Sequence, residues 1–392
     1  MMKHFTKAFA GILVVILVFI IWIGVGFDNQ KTYIRNKDLK TLEYMEFKDE
    51  STEKYSFSTS VVLNDDFDDE MTLMFRTRHI KVKAYLAGEQ IYSFGYAKGS
   101  LPFLKSPGSL FNLVEIPGDS AGKLLTIYYE TPYSNFDGVV PLISYGTYGD
   151  CEMAYFRSNV LLLIMITLVL ISCVIMLVMY LITRKKKNII SINFLYISGF
   201  AFFVSIWVMF QSGAIQIFIG NTQMLYFFDL LSLILFPLPI DCYIYGMCVS
   251  KEKKILPFFC WAYIGLIVMN LLLQITGLVD MYQLVICTHL LMLLNILYIM
   301  VLMFIEIKRE KNVNIRNFLP PIIVIIVAGS IEMANYYYSN MTSTTAALGI
   351  GMVVFMVILV VTSAKRYYTY ILDLKRTEYF EKLARMDLLT NI

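Results

Sequence analysis

The sequence predicts a membrane α-helical bundle, made of one N-terminal anchor and seven transmembrane helices, with an extracytoplasmic all-β domain built as a jelly-roll-like sandwich. Three observations predict this fold. Hydrophobic residues make up 58% of the 392 residues and charged residues only 16%, against about 25% charged in a typical soluble domain. Apolar runs of about 20 residues, the length that crosses a bilayer, follow one another after residue 155. Residues 28–155 instead show short apolar-polar alternations, which are typical of strands.

The first apolar run, residues 8–27, contains no charged side chain and follows Lys3 and Lys7. It is longer than the roughly 7–15 apolar residues of a signal peptide. We therefore interpret residues 1–27 as an uncleaved transmembrane anchor, with a cleaved signal peptide as the alternative. Basic residues before the run and Asp28 after it predict a cytoplasmic amino terminus.

Residues 28–155 form the second predicted domain, with about seven strands between clusters of Gly, Pro, Asn and Asp. The predicted strands are Lys54–Leu63, Met71–Arg76, Ile80–Leu86, Gln90–Phe94, Leu110–Ile116, Lys123–Glu130 and Val140–Ser144. Ala87 and Gly88 join two of them and predict a tight hairpin, because Gly supplies the positive φ that such turns need. Short strands at this spacing are typical of a jelly-roll sandwich.

Seven further apolar runs occupy residues 156–364, the predicted transmembrane domain. They are 159–183, 189–210, 223–249, 256–276, 281–306, 317–338 and 343–364. Lys and Arg cluster at every second connection, around residues 184–187, 251–254, 308–316 and 365–366, whereas the connections 211–222, 277–280 and 339–342 contain neither. By the positive-inside rule this pattern places residues 28–155 outside the cell and the carboxyl terminus in the cytoplasm.

Four ionisable residues lie inside the apolar runs: Asp229, Asp241, His289 and Glu332. Such groups are costly in a membrane and usually face a bundle interior or a cavity. Three of them, Asp229, His289 and Glu332, lie at a similar depth below the predicted outer ends of their helices, so we predict one polar cluster, completed by Asn335 on the helix face of Glu332. The alternative is that each group is neutral, hydrogen-bonded and only packs helices together.

Aromatic side chains in the β-domain are candidates for stacking on an extracytoplasmic ligand such as a carbohydrate. These candidates are Tyr92, Phe94, Tyr96, Tyr128, Tyr129 and Tyr133. The alternative is that they belong to the core or the sheet surface, where strand aromatics are common. Five of the six cysteines lie inside apolar runs, and none has the paired spacing of a zinc site, so we predict no metal centre.

The chain after residue 364 predicts a cytoplasmic helix over 365–386, rich in helix formers and free of Gly and Pro. Its apolar residues approach the spacing of a coiled-coil seam, which predicts a homodimer through this helix; a linker helix with no partner is the alternative. The positions of this seam are Tyr368, Leu372, Arg376, Tyr379, Leu383 and Met386.

The segment 387–392 and the residues before it resemble the A-x-x-D-x-L-T segment that opens GGDEF domains, the catalytic modules of diguanylate cyclases. The matching residues are Ala384, Asp387, Leu389 and Thr390. The resemblance implies that these four residues are not catalytic, because the GTP- and Mg²⁺-binding residues of such modules come later. We expect the chain to be the sensor half of a diguanylate cyclase, cut where the catalytic domain starts, so that it holds no cofactor and is no enzyme as given.

The whole layout resembles bacterial seven-transmembrane receptors with diverse intracellular signalling modules. That resemblance implies a receptor in the bacterial inner membrane that contacts membrane lipid and passes an external signal to the cytoplasm. A transporter is an alternative function, because polar residues in several spans also suit a substrate path. An orphan membrane sensor that acts on a separate partner is the other alternative. No basic, aromatic-interleaved surface for nucleic acid is present in the sequence.

Overall fold

The computed structural model describes residues 39–44, 46–49, 55–96, 103–184, 189–338 and 346–390. The predicted anchor over residues 1–27 lies outside these ranges.

In the described ranges, nine strands form two antiparallel sheets. They are β1 (Lys40–Thr41), β2 (Glu46–Asp49), β3 (Ser56–Val62), β4 (Met71–Arg78), β5 (Lys81–Leu86), β6 (Glu89–Phe94), β7 (Ser109–Ile116), β8 (Leu124–Glu130) and β9 (Ser144–Gly146). One sheet has the order β1-β9-β4-β7 and the other β2-β3-β8-β5-β6. Alternate residues of β4 and β8, such as Leu73, Phe75, Leu125 and Ile127, are buried in a core shared by both sheets, as the period of two along a strand requires.

The predicted hairpin between β5 and β6 is confirmed. Leu86 pairs with Glu89, so the loop has the two residues Ala87 and Gly88. Their φ angles are 48° and 88°, both positive, as a type I′ turn requires.

The prediction of the last strand was wrong in its bounds. Residues 140–143 are irregular and β9 begins only at Ser144, because Pro141 has no N–H to donate to a ladder. The sequence reading also missed β1 and β2. Lys40 in β1 pairs with Tyr145 in β9, far away in sequence.

Eight α-helices follow the strands in the part of the chain that the structure describes. They are α1 (Tyr148–Thr183), α2 (Ile189–Ser212), α3 (Thr222–Leu235), α4 (Pro237–Met247), α5 (Leu256–Thr276), α6 (Val285–Lys308), α7 (Val313–Tyr338) and α8 (Ala346–Thr390). Helices α3 and α4 form one span that is interrupted at Phe236, next to Pro237. Among the described residues, seven helical segments are long and apolar enough to cross a membrane, so the chain is a multi-pass membrane protein.

The boundary between the β-domain and the helices lies earlier than residue 155. Helix α1 starts at Tyr148, and the Thr147 side chain accepts a hydrogen bond from the backbone N–H of Asp150, 3.2 Å away. Thr is a preferred N-cap residue because its oxygen satisfies one of the free N–H groups of the first turn. The first ten or so residues of α1 are more polar than a span, which is why the apolar run alone placed the helix start too late.

Candidate functional site: a cavity between the sandwich and the helices

The β-sandwich sits on one end of the helical bundle, which we call the sandwich end; the opposite end is the distal end. The connections without Lys or Arg make the contact. Lys105 Nζ donates to the Gly277 carbonyl at 3.0 Å, and Thr222 Oγ1 donates to the Pro107 carbonyl at 2.7 Å. Phe111 N–H donates to Gln216 Oε1 at 2.8 Å. These bonds join the segment 105–107 and strand β7 of the sandwich to the connections and the start of α3 in the bundle, so backbone and side-chain contacts together fix the sandwich to the bundle.

The outward face of β4 points towards the helices. Phe75 and Thr77 are buried in the sandwich, while Arg76 and Arg78 alternate with them and lie on the opposite face. Arg76 donates to the Gln211 carbonyl at 2.8 Å, at the end of α2. Successive strand residues face opposite sides of a sheet, so one strand supplies both core residues and the two cations that face the membrane domain.

His79 follows β4 and lies at the interface between the sandwich and the bundle, which we call the joint. Four aromatic rings, which we call the aromatic box, surround it. The rings belong to Tyr133, Phe136, Tyr226 and Tyr282, and their centroids lie 4.6–5.4 Å from that of His79. Burial lowers the pKa of His79 to about 3; the nearby charge of Asp280 opposes this shift and that of Arg78 adds to it. The ring is therefore neutral at physiological pH.

Asp280 ties the same joint to the helices. Its carboxylate accepts hydrogen bonds from the Tyr226 hydroxyl, from the Tyr282 backbone N–H at 3.3 Å and from Gln274 Nε2 at 3.4 Å. The backbone N–H of Lys105, from the sandwich, is 3.4 Å away. A buried carboxylate with several donors is a stable fixed point, so Asp280 holds three elements together.

A cavity of about 480 Å³ lies below this joint, inside the sandwich end of the bundle. Small-molecule pockets in proteins have volumes of about 300–1,000 Å³. The sandwich lines it with Arg78, His79 and Ser109, and helices α2, α3, α4, α6, α7 and α8 line the rest. The last of these, α8, contributes Leu348, Met352 and Phe355. One cavity thus contacts both the sandwich and the helix that continues to Thr390.

The polar and apolar lining residues of the cavity are separated along the length of the helical bundle. The polar ones, including Arg78, Asp229, His289 and Glu332, lie near the sandwich end. Asp229 is seven residues into α3, which is about 10 Å at 1.5 Å per residue. The residues that follow towards the distal end are apolar, and they include Leu233, Phe236, Ile240, Ile299 and Phe355.

Two carboxyl groups at the polar end are incompletely satisfied. Asp229 Oδ1 and Glu332 Oε2 are inaccessible to solvent and have no hydrogen-bond partner among the described residues. Glu332 is 8% exposed, and the backbone N–H of Leu348, in the first turn of α8, interacts with its carboxyl group. The charge of Arg78 acts on both groups and that of Arg76 on Asp229.

The structure brings three of the four predicted cluster residues to this cavity: Asp229, His289 and Glu332. Direct contact among them stays a prediction, and the side chain of Asn335 lies outside the described residues. Arg78, His79, Tyr226 and Tyr282 were missed. Their sequence context is that of an ordinary strand end or a helix start, and they become site residues only because the sandwich docks on the bundle.

Asp241 belongs to a separate polar group. It is fully buried, and Asn295 Nδ2 donates to its two carboxyl oxygens at 3.1 and 2.9 Å. Asn295 Nδ2 also lies 3.4 Å from the Tyr263 hydroxyl. These residues connect α4, α5 and α6 nearer the distal end.

The six aromatic candidates of the sandwich do not share one surface. Tyr129 is buried and stacks on Phe57, whereas Tyr128 lies on the opposite face of β8 and is 37% exposed. Tyr133 is buried in the box around His79. Each of the remaining three has its own contacts: the Tyr92 hydroxyl donates to Asn112, Phe94 packs on the core, and Lys83 lies over the Tyr96 ring.

The comparisons with known proteins leave the site to be interpreted from its own chemistry. No family model, curated protein or solved structure matches the chain. Within the described ranges, no group of three His, Cys, Asp or Glu residues is placed to hold a metal ion. The described part of Ala384–Thr390 continues α8 as helix.

Proposed function

We propose that the chain is a transmembrane signal-transduction receptor: a ligand or a change of membrane state acts on the cavity between the sandwich and the bundle, and α8 transmits the change to the cytoplasm. The observation that carries this proposal is the shared lining of the cavity. Arg78 and His79 come from the sandwich, and Met352 and Phe355 come from α8. A ligand that fits only one arrangement of these walls shifts the population of that arrangement.

Helix α8 is suited to transmission because it is one element of 45 residues, from Ala346 to Thr390. It begins against Glu332 at the polar end of the cavity and passes the whole bundle. A rigid helix moves as a unit, and small shifts of packed helices are a common route for signals. The output that we propose is a diguanylate cyclase module, on the resemblance of residues 384–390; GTP and Mg²⁺ would bind to that module.

The proposed domain type and orientation have separate support. The orders β1-β9-β4-β7 and β2-β3-β8-β5-β6 support a jelly roll, in which the chain passes repeatedly between two sheets. The sandwich contacts connections that contain no Lys or Arg, namely 211–222 and 277–280. Because Lys and Arg are enriched on the cytoplasmic side, this contact supports an extracytoplasmic sandwich.

Impermeant thiol labelling on intact bacterial cells tests the orientation. Both Lys123, in the sandwich, and Lys254, at the distal end, are exposed. We expect Lys123→Cys to be labelled on intact cells and Lys254→Cys only after permeabilisation. Labelling of Lys254→Cys alone on intact cells would reverse the proposed topology.

The cavity offers a sharper test of the receptor function. Gly329 lines the cavity and Gly265 does not, and a Cβ atom at either position meets no atom within 4 Å. Leu at position 329 therefore fills the cavity, while the same change at position 265 is a matched control with the same gain in helix propensity. An active diguanylate cyclase domain fused after Thr390 provides the readout as cyclic di-GMP.

We expect Gly329→Leu to change cyclic di-GMP per molecule of fusion protein several-fold and Gly265→Leu to leave it unchanged. Protein amounts in the membrane are measured by immunoblot in both variants. Equal output from wild type and Gly329→Leu, at equal protein amounts, would contradict a role of the cavity in signalling. Accumulation or loss of a solute without any change in output would instead favour a transporter.

A further inference from the structure

The ligand of the cavity is constrained by the shape and polarity of its walls. We propose that the cavity takes a membrane-borne amphiphile, with a head group that donates hydrogen bonds to Asp229 and Glu332 and an apolar chain that extends towards the distal end. This inference rests on the proposed function for its biological meaning, although the binding that it predicts is measurable without any signalling output.

The unpaired carboxyl oxygens at the polar end of the cavity determine which head group fits there. Asp229 Oδ1 and Glu332 Oε2 accept no hydrogen bond from the described residues. Each is an oxygen acceptor, and burying an acceptor without a donor is costly. The charges of Arg78 and Arg76 also act on the carboxyl groups at this end. These groups therefore already have cations nearby, and what their unpaired oxygens still need is a hydrogen-bond donor. A protonated amine or a hydroxyl supplies donors, whereas a carboxylate supplies none.

The apolar chain follows from the residues beyond the carboxyl groups. From Asp229 to Ile240, eleven residues along α3 and α4, the cavity continues for about 16 Å at 1.5 Å per residue, past Leu233 and Phe236. A compact polar ligand would leave this apolar part of the cavity empty. A head group with an extended apolar chain is complementary to both parts.

The route of entry follows from which wall is open. On α3 and α8 the wall is closed, because Leu230 is 8% exposed, Met352 2% and Phe355 0%. On α6 the lining residues Leu293, Leu297 and Met300 are 45%, 54% and 39% exposed. Their i, i+4, i+7 spacing puts them on one helix face.

These three residues lie about 12–22 Å along α6 from Val285, at 1.5 Å per residue. At that depth the surroundings of a span are hydrocarbon and not water. Ser330 on α7, which also lines the cavity, is exposed as well. The opening therefore lies between α6 and α7 and faces the bilayer, which is the phase that holds an amphiphile.

Trp207 provides a reporter inside the apolar part. It lines the cavity, and its ring lies 5.9 Å from that of Phe236. With Trp22→Phe and Trp261→Phe, Trp207 is the single tryptophan, because the chain has three. The protein is reconstituted in phosphatidylcholine nanodiscs, and its fluorescence is followed on addition of 12-bromododecylamine, whose bromine quenches nearby indoles.

We expect saturable quenching that unbrominated dodecylamine reverses, and that methylamine and dodecanoate do not. Reversal by dodecylamine but not by dodecanol would assign a charged donor, and reversal by both would show that a hydroxyl donor is sufficient. Glu332→Gln should weaken dodecylamine about tenfold, or about 1.4 kcal/mol. Gly329→Leu should remove the saturable component, and Gly265→Leu should keep it.

Quenching that is only linear in probe, equal competition by dodecanoate, or equal competition by methylamine would each overturn the proposal. Failure of the receptor function looks different. In that case the amphiphile binds as described, but cyclic di-GMP from the fusion does not respond to dodecylamine or to Gly329→Leu. A water-soluble ligand that changes the output without competing for quenching would contradict this inference and leave the receptor function in place.

Discussion

Each end of the helical bundle buries a glutamate, but the two glutamates differ in how many hydrogen bonds their carboxyl oxygens accept. At the distal end Glu306 is fully buried. Its Oε1 accepts from the backbone N–H groups of Val249 and Ser250 at 2.8 Å each, and its Oε2 accepts from Asn312 Nδ2 at 2.7 Å. At the sandwich end Glu332 keeps one oxygen without a partner among the described residues, and it lines a cavity.

The difference separates a structural carboxylate from a functional one. Glu306 stabilises the connection around Val249 and Ser250, because each of its carboxyl oxygens accepts a hydrogen bond. The unsatisfied oxygen of Glu332 costs stability in the isolated chain, and ionisable groups inside membranes are usually found where a function needs them. We therefore assign the distal end to holding the bundle together and the sandwich end to recognition.

The largest expected effect comes from breaking the distal end. Glu306→Ala leaves two backbone N–H groups and Asn312 without their acceptor, and we expect a loss of about 3 kcal/mol of stability, the cost of unsatisfied buried donors. Unfolding in phospholipid nanodiscs measures it. Glu306→Gln keeps one acceptor oxygen and should lose less. A loss for Glu332→Ala larger than that for Glu306→Ala would contradict the assignment of the two ends.

A smaller effect is expected from pH at the joint around His79. Its folded pKa of about 3 lies below the ordinary value of 6.5, so the unfolded chain binds more protons between these values, and stability falls as the pH drops below about 6.5. At pH 5.5 the loss is about 1.4 kcal/mol. Above about pH 7.5 neither state binds this proton, so the group contributes no further pH dependence.

His79→Asn provides the control for that pH dependence. The φ of residue 79 is 57°, a conformation that Asn tolerates, and Asn does not titrate. The thermal midpoint of wild type should fall relative to that of His79→Asn as the pH is lowered from 7 to 5. A difference that stays constant over this range would show that the pKa of His79 is the same in the folded and the unfolded chain, which would contradict its burial as a neutral ring.

The sequence predicted the parts of the fold that local patterns determine. The hairpin at Ala87-Gly88 and the central strands follow from turn chemistry and alternation, and the apolar runs follow from the length of a span. The short strands β1 and β2 could not be predicted in this way. The partner of Lys40 is Tyr145, and such pairing depends on the packed sandwich and not on neighbours in sequence.

The candidate site could also be predicted only in part from the sequence. Asp229, His289 and Glu332 stand out because an ionisable residue in an apolar run is rare. Arg78 and His79 give no such signal, since charged and polar residues are ordinary in an external strand. Tyr128 and Tyr129 show the opposite error, because both were candidates and they cannot belong to one surface. Adjacent strand residues face opposite sides of a sheet, and only the packed fold determines that Tyr128 is the exposed one.

The most direct test of the central claim compares the two glutamates in the fusion with an active diguanylate cyclase domain. We measure cyclic di-GMP per folded molecule, together with unfolding, for Glu332→Gln and Glu306→Gln. We expect Glu332→Gln to change the output several-fold, with stability within about 1 kcal/mol of wild type. We expect Glu306→Gln to lower stability without changing the output per folded molecule. The contradicting result is an unchanged output for Glu332→Gln together with a changed output for Glu306→Gln.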